Sequence, residues 1–239
     1  MKTKFIALFM LVAGLALSCL TACKFNCVPG SGNQVTQNRK AGNFNRIDIS
    51  GGYRVVLKQD SSFSIKITGD DNVLNYIKTA VNGGRLRIYS KRNFCNTGEI
   101  LVNIGVGNLE EVKASGGIAV ESDGKIHTQD LHFNLSGATK INMDLNAANV
   151  TTSGSGATEI NLKGQATSHN IELSGSGKLM ALDFVVGNCN IETSGVGHSE
   201  VNVLHSLSIH SSGASEVKYR GYPSITNDKS GASSVEKVN

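Results

Sequence analysis

A Ser-Gly pair flanked on both sides by alternating apolar residues recurs through the second half of the chain. It occurs at Ala114-Ser115-Gly116, Leu135-Ser136-Gly137, Gly154-Ser155-Gly156 and Gly175-Ser176-Gly177, and continues at Gly197, Gly213 and Gly231. Taking the glycines as 116, 137, 156, 177, 197, 213 and 231 gives a unit of about 19 residues, with a weaker echo at Ser50-Gly51-Gly52-Tyr53. Within a unit the apolar period is two, the period of a strand: Phe133 and Leu135 precede a corner, Ile141 and Met143 follow it, and Ile160 and Leu162 follow the next. Leu179 arrives two residues early in this alignment. A unit this short cannot bury its apolar face alone, whereas stacked units pair each strand with its equivalent one turn away. The expected fold is therefore all-β, a parallel β-helix (β-solenoid) with coils of about 19 residues and glycine at the corners, where φ > 0 carries no Cβ penalty. An antiparallel sandwich competes, but its strands need not resemble one another. The leucine density of leucine-rich repeats and the regular aspartates of calcium-binding nonapeptides are both absent.

Upstream, Phe44 to Leu57, Phe63 to Thr68 and Leu86 to Tyr89 alternate like strands, and Asp70 to Ile77 has the pattern of a short helix behind an aspartate cap. At the N-terminus, Lys2 and Lys4 precede an apolar stretch from Phe5 to Leu17, too short to span a bilayer and right for a secretory signal. It ends in Leu20-Thr21-Ala22-Cys23, the pattern of a bacterial lipobox, so residues 1–22 are expected to be a lipoprotein signal peptide and Cys23 the lipidation site. Residues 23–38, rich in glycine, serine and asparagine, read as a flexible tether, leaving 39–239 as the folded domain. Cys27, Cys95 and Cys189 allow at most one intramolecular disulfide; with Cys27 on the tether and the other two several rungs apart, no Cys95–Cys189 bond is expected.

The pieces Phe44-Asn45-Arg46-Ile47, Ser50-Gly51-Gly52-Tyr53-Arg54-Val55 and Gly84-Arg85-Leu86-Arg87-Ile88, with the Ser-Gly repeats through Ser230-Gly231-Ala232, resemble the auto-transporter adhesin, head GIN domain family found in lipoproteins of Bacteroidetes type. The resemblance runs from about Arg39 to the end. It implies a right-handed parallel β-helix exported to the envelope, and it carries over no catalytic or ligand residue.

Counting from the aligned glycines, positions three and five residues later face solvent. The candidate binding surface is then Asn142, Asn161 and Asn202 in one row and Glu159, Glu200 and Glu216 in the next. Stacked amides and carboxylates suit polysaccharide hydroxyls or a cation; the plainer account is an asparagine ladder bracing the strands beside a solvated acidic face. Glu200 and Glu216, on adjacent rungs, would repel each other or attract a cation.

Composition narrows the function further. Lys and Arg number 23 against 19 Asp and Glu, and loss of Lys2 and Lys4 with residues 1–22 leaves +2, too little for an electrostatic nucleic-acid binder. With no tryptophan, the usual sugar-stacking platform is missing. Histidines 169 and 205 share an offset but sit two rungs apart, and no helical His pair or Cys-x-x-Cys exists, so no metal or cofactor site is expected. Asp123, Asp130, Asp144 and Asp183 are catalytic candidates by residue type alone, and no Ser-Gly corner has the strand-turn-helix setting of a nucleophile elbow. The expected role is a lipid-anchored, non-enzymatic protein of the cell envelope and outer membrane, binding a glycan or protein through its β-solenoid. A glycan-cleaving β-helix enzyme and a ligand-free scaffold are the alternatives. The membrane side, periplasmic or surface, stays open, since Lys24-Phe25-Asn26-Cys27 contains no acidic residue.

Overall fold

The computed structural model describes residues 26–239, so the signal segment 1–22 and Cys23 lie outside the described residues. The chain is all-β apart from one helical turn. In order it forms β1 (Cys27–Pro29), β2 (Gln34–Arg39), β3 (Arg46–Gln59), β4 (Ile65–Asp70), α1 (Asp71–Leu74), β5 (Ile77–Asn82), β6 (Arg85–Ser90), β7 (Asn93–Cys95), β8 (Leu101–Val106), β9 (Glu111–Gly221) and β10 (Ser224–Lys237). The main sheet runs β10-β9-β3-β8-β4-β2, with β6 on β3 and β5 on β6, while β1 and β7 form a separate pair.

β9 is one strand of 111 residues because its backbone bends at glycines without leaving the ladder. β10 pairs with it in parallel, Ser212 beside Ser230 and Gly213 beside Gly231, a shift of one unit. β3 pairs with the other end of β9, also in parallel, Ser50 beside Ser115 and Gly51 beside Gly116. The weak echo upstream is thus a full rung, separated from the next by the excursion from Asp60 to Glu110.

The glycines stack on one another. Gly156 and Gly175 both have φ of 90°, and a Cβ added there would lie 2.8 and 2.9 Å from the carbonyl oxygen of the preceding glycine in the stack. A side chain is excluded twice, by the left-handed backbone and by the rung below. The stack uses Gly175 and Gly195, where the sequence alignment placed Gly177 and Gly197; neither of the latter has positive φ. In Ser174-Gly175-Ser176-Gly177 and Ser194-Gly195-Val196-Gly197 the first glycine turns the chain, whereas in Ser153-Gly154-Ser155-Gly156 the second does. Gly177 lies buried against the Leu173 side chain. With Gly175 as the corner, Leu179 falls four residues after it, in register with Ile141 and Ile160, and is fully buried.

The segment expected to be a tether is, from Cys27 onward, part of the fold. β2 pairs antiparallel with β4, and β1 pairs with β7. Cys27 is disulfide-bonded to Cys95 with Cα atoms 5.7 Å apart, while Cys189 is free and buried. Closing a loop of 68 residues, this bond stabilises the fold by about 4 kcal/mol through the unfolded chain. The buried Asp70 precedes α1 but does not cap it; its carboxylate accepts from Gln34 Nε2 at 2.6 Å, tying β2 down instead.

The core fills from both regions. Ile47, Ile49, Val55 and Leu57 of β3 are sealed by Ile65, Ile67, Leu86, Ile88 and Val102, and Phe44 meets Phe63 edge-on at 5.5 Å. Along β9 the buried row two residues after the stacking glycines shrinks, from Ile118 through Thr139 and Thr158 to Gly177. Among the described residues, Thr139, Thr158, Thr193 and Ser199 hold buried hydroxyls with no hydrogen-bond partner. His169, also buried, sits 3.0 Å from Thr152 Oγ1 and edge-on to Phe184; burial drives its pKa down to about 3, so the ring is neutral.

Candidate functional site

Two outward faces meet at the glycine corner, and they differ in charge. On the face that follows the glycines, charges are matched rung to rung. Three residues after successive glycines come Lys140, Glu159, Lys178, His198 and Glu216. Lys140 Nζ lies 3.0 Å from Glu159 Oε1, and Asn161 Nδ2 donates to the same oxygen at 3.2 Å; these contacts hold the Glu159 carboxyl below the usual range.

The expected Glu200–Glu216 row does not form. Because Gly195 is the corner, Glu200 falls in the row with Asn142, Asn161 and Lys218, and His198 takes the place beside Glu216. His198 lies between the two glutamates, Nδ1 2.8 Å from Glu216 Oε2 and Nε2 3.0 Å from Glu200 Oε1. Lys218 Nζ adds a contact of 3.2 Å to Glu216, and Lys218 first, then His198, lowers the Glu216 pKa. His198 stands between the two carboxylates, for which repulsion or a cation were the alternatives in the sequence.

The asparagines divide. Asn142 is exposed, Asn161 is engaged by Glu159, and Asn202 lies two positions beyond the row, half-buried, donating to Leu182 O at 3.1 Å. Side-chain ladders do brace the rungs, on another face. Asn149 donates to Asp130 at 2.8 Å and accepts from Ser168 at 2.7 Å, and Ser206 donates to Asn188 at 2.7 Å.

On the face that precedes the glycines runs an open groove of about 690 Å³. One wall is a row of serines immediately before the corners: Ser136, Ser155, Ser174, Ser194, Ser212 and Ser230. The other, two residues earlier, is mixed and turns acidic at Glu172 and Glu192, starting from Lys113 at the β3 end. Neither glutamate has an ion-pair partner among the described residues; Glu192 accepts only from Asn190, at 3.4 Å. The serines were in plain view in the Ser-Gly motif. Each occupies the position immediately before a stacked glycine, so the motif itself carries the row.

The groove offers hydroxyls at a spacing of about 4.8 Å per rung, able to donate and accept, beside unpaired carboxylates. Such a surface suits a polar ligand lying along the stack. Of the aspartates considered for catalysis, Asp123 faces Lys58 at 3.6 Å, Asp144 faces Lys125 at 2.9 Å and Asp130 is held by Asn149. Asp183 is exposed. Among the described residues no group of three or more His, Cys, Asp or Glu side chains is placed to hold a metal ion, and no helix is long and apolar enough to cross a membrane. Burial raises the Cys189 thiol to about 12, which makes it a poor nucleophile.

Solved structures share this fold. A Bacteroides fragilis protein described as a putative adhesin superposes with a TM-score of 0.84 at 21% identity, covering 88% of this chain and 100% of its own. A Parabacteroides distasonis protein described as a putative lipid binding protein gives 0.72 at 20% identity, covering 90% and 100%. A putative adhesin from Parabacteroides merdae gives 0.69 at 22%, covering 89% and 99%. No curated protein matches the chain. A family model matches residues 43–223, and the chain belongs to that family, putative auto-transporter adhesin, head GIN domain.

Proposed function

We propose that this chain is a lipid-anchored protein of the cell envelope, held in the outer membrane through Cys23, whose stacked units form a right-handed parallel β-helix that binds a glycan or protein ligand without catalysis. The parallel registers of β3 and β10 on β9 and the unbroken glycine stack support the β-helix. Membership of an adhesin family supports a binding role. The observation that carries the assignment is the serine-walled groove, a long polar surface fixed on a rigid backbone ladder. Its hydroxyls are pre-aligned, so a ligand engages them with little ordering cost on the protein side.

The experiment is a glycan array and an envelope pull-down with the mature chain, run beside a Ser155→Tyr, Ser174→Tyr double variant that fills the groove. A ligand bound by the parent and lost, by tenfold or more, from the variant supports the assignment. Blank results on both platforms, or binding indifferent to the double variant, overturn it. Palmitate labelling in the native cell with and without Cys23→Ala checks the anchor, and protease shaving of intact cells decides which side of the membrane the domain occupies.

A further inference from the structure

We propose that the end of the stack carrying β1 and β7, its capped end, is a membrane-facing surface, seated on anionic lipid headgroups so that the column stands end-on and β10 points away from the bilayer. This rests on the Cys23 anchor put forward above.

Chain length sets the geometry. Cys27 is locked to Cys95, β1 is paired with β7, and Gly30 N donates to Cys95 O at 3.1 Å. From Cys23 to Cys27 is four residues, at most about 14 Å when fully extended. A lipid on Cys23 therefore keeps Cys95 within that reach of the headgroups.

Topology says which end this is. β7 lies in the connection between β6 and β8, both of which pair with β3, whose glycine corner also carries the start of β9. Eight stacked glycines from Gly51 to Gly231 make seven steps of the ladder, which puts β10 about 34 Å from the β3 corner at 4.8 Å per rung.

Charge names the partner. Lys91 and Arg92, next to β7, are exposed and have no ion pair among the described residues. Of the nearby carboxylates, Glu99 faces Arg54 and Asp70 is buried on Gln34, while Asp71 keeps its charge under hydrogen bonds from Ser31 and Asn33, so it is Lys91 and Arg92 that are free to meet headgroups. The lipid on a lipobox cysteine, a diacylglycerol with two chains, holds the protein on the bilayer, and Lys91 and Arg92 are left to set its orientation.

The test uses the mature lipidated chain in vesicles of phosphatidylethanolamine and phosphatidylglycerol carrying a headgroup nitroxide. A bimane reporter is placed at Tyr76→Cys, where Lys91 N approaches the Tyr76 carbonyl, or at Ser234→Cys on β10. Quenching at 76 several-fold above that at 234 is expected. Replacing both Cys27 and Cys95 by Ala leaves the three-residue β1 held by hydrogen bonds alone; its release moves the first fixed strand to Gln34, a leash of about 38 Å, and should at least halve quenching at 76 while the chain stays on the vesicles. Lys91→Glu with Arg92→Glu should lower it as well. Equal quenching at the two positions means a column lying flat, and no quenching at either means a long leash; both overturn the proposal. An intact mass without lipid overturns the anchor itself, and is read before any quenching is measured.

Discussion

The two ends of the molecule hold together by different physics. Around β3 the interior is a conventional core: Ile47, Ile49, Val55 and Leu57 are fully buried under strands that approach from antiparallel as well as parallel neighbours. Along β9 the interior near the glycine corner narrows to threonine, serine and glycine, several hydroxyls lack partners, and the backbone ladder and rung-to-rung side-chain bonds take over. The first region is closed by a disulfide and by apolar area. The second depends on each turn repeating the one before.

That contrast can be broken or sharpened by experiment. The largest effect is expected at the capped end: replacing Cys27 and Cys95 by Ala should lower the unfolding free energy by about 4 kcal/mol in denaturant melts. An undiminished midpoint would mean that β1 contributes nothing to the cap. In the repeat, Gly156→Ala, a change of one methyl, should cost about 3 kcal/mol, because φ is 90° and the Gly137 carbonyl is 2.8 Å from the new Cβ. The same change at Gly42, where nothing lies within 4 Å and φ is not positive, should cost under about 1 kcal/mol.

His169 gives the repeat a pH dependence. Its pKa is depressed from 6.5 to about 3, so its share of stability is whole above pH 6.5 and drains away as pH falls toward 3. Between pH 6.5 and 5 the loss should approach about 2 kcal/mol, and His169→Leu should flatten that part of the melting-temperature profile. One effect has the opposite sign. Thr158→Val removes a buried hydroxyl without a partner and should stabilise by about 1 kcal/mol; a loss of stability there would reveal a bond to ordered water.

Much of this was legible in the residues. The period-two apolar pattern and the recurring Ser-Gly gave strands and corners, and Gly51 was visible as a faint copy of the motif. The doubled glycines at 175/177 and 195/197 were not decidable locally, because either accepts a left-handed turn and only the rung below selects one. That slip of two residues moved Glu200 out of its row and hid the part played by His198. β2 was missed because Gln-Val-Thr-Gln-Asn-Arg buries little on either side; it is held by its pairing with β4 and by Asp70 from elsewhere in the chain. The Cys27–Cys95 bond depends on the same long-range placement.

The excursion between Gln59 and Glu111 lays β6 and β8 along the far side of β3, and the chain then returns one rung on, with Gly51 and Gly116 still in register. Growth of such a molecule is therefore quantised at the glycine edge and free on the opposite side. Intervals between the stacked glycines from Gly116 onward vary from 18 to 21 residues, so the difference is absorbed away from the glycine edge. A designer wishing to equip this scaffold with a new loop should place it there and leave the segment after Gln59 intact, because that segment supplies Leu86, Ile88 and Val102 to the core.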